Sequence, residues 1–264
     1  MKRWIKKVVP RVILRAGRRS RVPDEQPLGD ASRDVAEGVL RCRIAYNRYG
    51  GYCVPLSSQH RPAAQAVLGG GVYEPQTIEY LSARCGSGDI VHAGTYFGDF
   101  LPALSKSVAD GACVWAFEPN EENYRCALIT LAINDLHNVR MTHAALGAEG
   151  AAGELITTDA GGRALGGGSR LWTEGPAAVD SLQSVPLLAL DDVIPTDRQV
   201  SIIHLDVEGY EERALMGALR TIERCRPTLV LETVPERSWL AESILALGYR
   251  IGPKLHLNTV LKFE

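Results

Sequence analysis

The chain has 264 residues, a net charge of −2 and 45% hydrophobic content, enough for one sizeable core with additions but not for two large ones. No apolar run approaches the ~20 residues of a membrane span. The six cysteines are scattered with no C-x-x-C pair, which argues against a zinc site or a disulfide framework and for free thiols in a reducing cytosol.

The charge is unevenly placed. Nine of the 29 Lys and Arg, and no acid, lie in residues 1–23, so the remainder carries −11, the difference between −2 and +9. Trp4, Ile5, Val8, Val12 and Ile13 sit at roughly helical spacing among these cations, with Pro10 interrupting them. This stretch reads either as a disordered arm or as a basic amphipathic segment lying on an anionic membrane surface through residues 1–21. It is too short and too charged for a signal peptide.

Residues 24–85 read as an N-terminal layer of a hairpin and helices. The segment 46–55 is a small hairpin with Gly50-Gly51 as its turn. A helix over 61–68 ends at Gly69-Gly70-Gly71, and Glu74-Pro75 opens another through Ile78 and Leu81. The main domain, 86–264, starts with Asp89-Ile90-Val91-His92-Ala93-Gly94, a buried strand running into a glycine turn. A second strand, Cys113–Phe117, ends on Glu118. Strand, glycine loop, helix, strand, acid is how a doubly wound domain holds a nucleoside, the acid about 20 residues on accepting from the ribose hydroxyls. Between Gly94 and Gly98 stand Thr95, Tyr96 and Phe97, which leave poor room for a pyrophosphate. A nucleoside without phosphates, such as S-adenosylmethionine, suits the loop better.

Residues 121–133 read as a helix with Leu128, Leu131 and Ala132 on its apolar face, and 139–146 as a third strand. The glycine-rich stretch 147–185 reads as a mobile, substrate-facing insertion, or equally as a plain surface excursion; in the first reading Arg170 contacts the acceptor. Val200–Leu205 is a buried strand ending in Asp206 and Glu208, and 227–231 is another ending in Glu232. Strands at 248–251 and 259–263 close the chain as an antiparallel pair on an otherwise parallel sheet.

Ile203-His204-Leu205-Asp206-Val207-Glu208-Gly209-Tyr210-Glu211, together with Phe117-Glu118-Pro119-Asn120, Leu190-Asp191-Asp192 and Ala144-Ala145-Leu146-Gly147, resembles the FkbM family of S-adenosylmethionine-dependent methyltransferases over roughly residues 70–264. The resemblance implies a Rossmann-like class I methyltransferase fold with an N-terminal extension, and methyl transfer to a hydroxyl of a sugar, glycan or other natural product. It points to Gly94, Thr95, Gly98, Asp99, Glu118, Pro119, Asn120, Ala145 and Asp206 as cofactor contacts. The family pattern has Asp where this chain has His92 and Lys where it has His204, so either another acid, Asp99 being the nearest, serves the methionine amino group or cofactor affinity is lower.

Methyl transfer from a sulfonium needs alignment above all, and a hydroxyl acceptor needs a base. Asp206, His204 and Glu232 are the candidates for that base. His204 and Asp206 share a strand face, though a mid-strand histidine also reads as a satisfied core residue. Asp206, Glu208 and Glu232 could converge on a hard divalent cation, but no required metal is expected. An NAD-dependent oxidoreductase and a non-catalytic nucleoside-binding protein are the alternatives. The acidic body argues against nucleic-acid substrates. A small-molecule or glycan acceptor, a cytoplasmic location and a homo-oligomer are compatible with the sequence.

Overall fold

The computed structural model describes residues 39–173 and 182–264; the basic arm of residues 1–23 lies outside them. A seven-stranded sheet forms the centre, ordered β12-β13-β11-β10-β3-β4-β5. Its strands are β3 (Asp89–Ala93), β4 (Val114–Phe117), β5 (Val139–Thr142), β10 (Val200–Leu205), β11 (Thr228–Leu231), β12 (Tyr249–Leu255) and β13 (Asn258–Phe263). β10, β3, β4 and β5 run parallel, as do β10 and β11; β13 runs antiparallel to both β11 and β12. The one reversed strand, β13, stands between β11 and the edge strand β12.

Parallel strands covered on both faces read as continuous apolar runs, and β3 is buried throughout. Alternation sends Val91, Ile203, Leu205, Leu229 and Leu231 to one face, against α5 (Glu211–Met216), α6 (Leu219–Cys225) and α7 (Arg237–Ser243). Ile90, Ile202, Val230 and Val260 go to the other, against α2 (Pro75–Arg84) and α3 (Leu101–Ser107). His92 and His204 lie two residues beyond Ile90 and Ile202, so they share this second face.

The N-terminal layer holds β1 (Cys42–Asn47), β2 (Gly50–Pro55) and α1 (Pro62–Leu68). The hairpin turns at Arg48-Tyr49 and not at Gly50-Gly51, because Asn47 pairs with Gly50. β2 packs against α4 (Glu121–Asn134). The Asn120 side chain caps α4 by accepting from Asn123 N. The buried face of α4 is Asn123, Cys126, Ala127 and Thr130, while Leu128 is exposed. Thr130 fixes that rotation: its hydroxyl accepts from Cys53 N and donates to Phe97 O.

The third strand stops at Thr142, and Ala145–Leu146 (β6) joins a separate sheet ordered β6-β9-β7-β8. The segment 147–185 is therefore not a plain loop. It contains β7 (Ala151–Ile156), a 3-10 turn at Gly166–Gly168, β8 (Arg170–Leu171) and β9, which runs on to Leu188 from Leu182.

At the amino end of β3, Asp89 is 1% exposed and accepts from Cys113 N, Trp115 Nε1 and Arg198 Nε. Burial pushes its carboxyl up, but the Arg198 and Trp115 bonds hold it below the ordinary range. The stabilisation is therefore complete above the unfolded-state value and lost as pH falls through the folded one. Asp89→Ala leaves three donors unpaired and is expected to cost about 3–5 kcal/mol, read as a lowered denaturant midpoint. A change below about 1 kcal/mol would show that Arg198 is solvated without it.

Candidate active site

The carboxyl ends of β3, β4, β10 and β11 converge, as ligand sites in open α/β sheets do. The loop after β3 turns through positive φ at Gly94 (82°), Tyr96 (51°) and Gly98 (83°). A Cβ on Gly94 would lie 1.8 Å from the Asp206 carbonyl oxygen, so the loops after β3 and β10 touch at a point only glycine fits.

Two cavities open there. One, of about 440 Å³, is lined by apolar groups including Phe117, Ala144, Ala145, Leu146 and Leu155, with Glu118 and Pro119 in its wall. The other, of about 620 Å³, is polar and carries Glu74, Asp99, Asp206, Glu208 and Glu232, with His92 and Tyr96 in its wall. Gly94, Gly167 and Asp206 belong to both, so one elongated ligand could run from the first cavity into the second past Gly94.

Glu118 is buried and held by three donors: Tyr96 N at 2.7 Å, Asn120 N at 2.9 Å and Asn123 Nδ2 at 3.3 Å. Burial pushes its carboxyl up to about 7, against these bonds. A carboxylate accepts about four hydrogen bonds, so capacity for a further donor remains. The insertion closes over this point. Asn123 Nδ2 also donates to Gly166 O, Asn120 Nδ2 to Ser169 Oγ, and Gly167 packs on the Tyr96 ring.

Asp206, Glu208 and Glu232 each offer a carboxylate oxygen, all within 4.8 Å of one another. Burial, then the adjacent Glu232, raises Asp206 well above the usual carboxylate range. Asp99 is pushed up to about 7 by burial and by Glu74. Glu208 sits at φ 54° before Gly209 at 92°, a strained turn that keeps it in the cleft. Clustered carboxylates of this kind share protons, favour cationic ligands, or accept a hard cation.

Among the residues singled out from sequence, Gly94, Asp99, Glu118, Pro119, Ala145, Asp206 and Glu232 line the cavities. Thr95 and Gly98 pack behind the loop, and Asn120 acts through its bonds to Glu118 and Ser169. His204 does not reach the cleft. It is 1% exposed, burial pushes it down to about 4, and it is enclosed by His92, Phe100 and Asn258. Its placement is that of a satisfied core histidine. Arg170 is exposed; burial and Glu232 raise the Glu208 carboxyl, and Arg61 and Arg170 offset part of that rise. The sequence reading missed Glu74, Tyr73, Arg61 and the Gly167–Ser169 backbone, which come from segments with no local motif.

The model of the FkbM methyltransferase domain matches residues 92–251, more than half of the sequence. The chain belongs to the FkbM methyltransferase family. The FkbM methyltransferase of Methylobacillus flagellatus KT is similar to it at 22% identity, with 67% of this chain and 44% of that one covered and a TM-score of 0.46. This chain therefore spans less than half the length of that relative. A SAM-dependent methyltransferase from Aquifex aeolicus is 14% identical over 78% of this chain and 93% of its own, with a TM-score of 0.41. TYW2 of M. jannaschii, in complex with AdoMet, is 11% identical over 85% and 84%, with a TM-score of 0.48. No curated protein matches the sequence. Within this FkbM domain, His92 and His204 are register partners on adjacent strands, and their Nδ1 atoms lie 2.9 Å apart. Among the described residues no helix is long and apolar enough to cross a membrane.

Proposed function

We propose that this chain is an S-adenosylmethionine-dependent O-methyltransferase acting on a hydroxyl of a small molecule, sugar or glycan. The observation that carries the reading is Asp206, which stands where an apolar cavity meets a carboxylate-lined one. The donor fits the residues present. The apolar cavity suits a purine, Glu118 has acceptor capacity for the ribose, and the acidic cavity suits a sulfonium and an ammonium.

Bound there, the donor would supply an electrophilic methyl on a good leaving group. The chain's own residues do the rest. Gly94 lets the backbone approach the ligand, and Glu118 orients the ribose. Gly167 and Ser169 cover the site and exclude water. Asp206, with a Glu232 carboxylate oxygen within 4.8 Å of its own, takes the proton from the acceptor hydroxyl.

Calorimetric titration with S-adenosylhomocysteine, with NAD in parallel, tests the first half. The wild-type chain is expected to bind the former and not the latter. Glu118→Ala is expected to weaken binding about 30- to 100-fold, the worth of charge-assisted ribose bonds. A folded wild-type chain that binds no S-adenosyl nucleoside would sink the reading, and tight NAD binding would replace it. Turnover on a panel of hydroxylated acceptors tests the second half; nucleoside binding without turnover would favour a non-catalytic role.

A further inference from the structure

His92 Nε2 is a buried nitrogen with no hydrogen-bond partner among the described residues, on a ring that forms part of the acidic cavity's wall. Its chemical state follows from a chain of bonds that begins 18 positions upstream. Glu74, 7% exposed, accepts from Asn258 Nδ2 at 2.8 Å and from Thr77 Oγ1 at 2.9 Å. The carboxylate fixes the Asn258 amide, since the flipped amide would set its oxygen against Glu74. Asn258 Oδ1 is therefore the atom facing His204 Nε2 at 3.2 Å, and His204 Nε2 carries the proton. Burial keeps both imidazoles neutral. A neutral ring has one proton, so His204 Nδ1 is bare. The 2.9 Å contact between His204 Nδ1 and His92 Nδ1 then requires the proton on His92 Nδ1. His92 Nε2 is left as a lone pair. Phe100 stacks on the two rings at 5.3 and 5.6 Å, and the planes of the imidazoles lie within 5° of parallel.

We propose that this relay, Glu74 to Asn258 to His204, is a positioning device that fixes His92 as an acceptor for the primary ammonium of the methyl donor's amino-acid part. An unpaired buried acceptor is destabilising, so a ligand donor that meets it recovers that cost. The cavity's carboxylates select a cation over a neutral hydroxyl as the group that comes to it. His92 thus does with a lone pair, at a position next to the glycine turn, what an anion would do there, without adding another negative charge to the cavity. This rests on the nucleoside reading above, but the tautomer does not.

Two-bond ¹H–¹⁵N correlation spectra of the full chain at neutral pH test the tautomers directly. His92 is expected as the Nδ1–H form and His204 as the Nε2–H form; an Nε2–H His92 would overturn the inference. On adding S-adenosylhomocysteine, the His92 Nε2 signal is expected to move upfield, while 5′-methylthioadenosine, which lacks the ammonium, leaves it in place. Binding of both with no selective shift refutes the ammonium contact. Binding of neither refutes that contact together with the donor reading, and leaves the tautomer result standing. Asn258→Ala, outside both cavities, is expected to weaken S-adenosylhomocysteine about tenfold and methylthioadenosine less than twofold. Equal losses for the two ligands would mean that Asn258 serves the fold alone.

Discussion

Gly94→Ala is expected to lower stability by about 3–4 kcal/mol and to abolish nucleoside binding. Two costs add at this position. The backbone is at φ 82°, which costs an alanine about 1 kcal/mol. The new Cβ would also sit 1.8 Å from the Asp206 carbonyl, which is backbone and has no rotamer to escape into. Relief requires the loops after β3 and β10 to part, and that takes Asp206 away from its place between the cavities. Gly111→Ala is the control, because its φ is 80° and its Cβ would meet nothing within 4 Å. Denaturant midpoints of the two variants separate the conformational term from the clash. Equal destabilisation would show that the loops yield freely and that the contact constrains nothing.

The parts of this site legible in the sequence are those whose geometry is local. Gly94 follows a buried run by one residue, and Glu118, Asp206 and Glu232 each follow an apolar strand, so strand ends alone locate them. The edge pair β12–β13 showed for the same reason. The missing parts depend on distant partners. Thr130 turns α4 so that Cys126 and Ala127 face β2, and only the hydrogen bonds to Cys53 and Phe97 reveal that rotation. The hairpin turn moved two residues because Gly51 donates to Asn134 Oδ1, an 83-residue separation. β7 and β9 escape a period-two reading because Gly153 and Pro186 interrupt their apolar positions, and Pro186 pairs with Ala152 within the small sheet. His204 looked like a base because it shares a strand face with Asp206. That face is covered by Phe100, and its polar partner Asn258 lies 54 residues away.

Asp206→Asn is expected to lower kcat by 10²- to 10⁴-fold, the usual worth of a positioned base, while changing S-adenosylhomocysteine affinity less than tenfold. In the ligand-free chain burial, then the Glu232, Glu74 and Glu208 carboxylates, raise the Asp206 carboxyl well above the usual carboxylate range. With a sulfonium and an ammonium beside it the nearest charges become positive, and it ionises at lower pH. The sign follows. Activity rises with pH as the Asp206 proton is lost, and the limb in kcat lies at lower pH than the limb in kcat/KM. Glu232→Gln removes the adjacent negative charge and is expected to move the limb in kcat/KM to lower pH. Asparagine at 206 cannot take the acceptor's proton at any pH, so its residual rate should show no such limb. Retention of activity within tenfold, or a limb unmoved by Glu232→Gln, would mean that the acceptor hydroxyl loses its proton to another group in the acidic cavity.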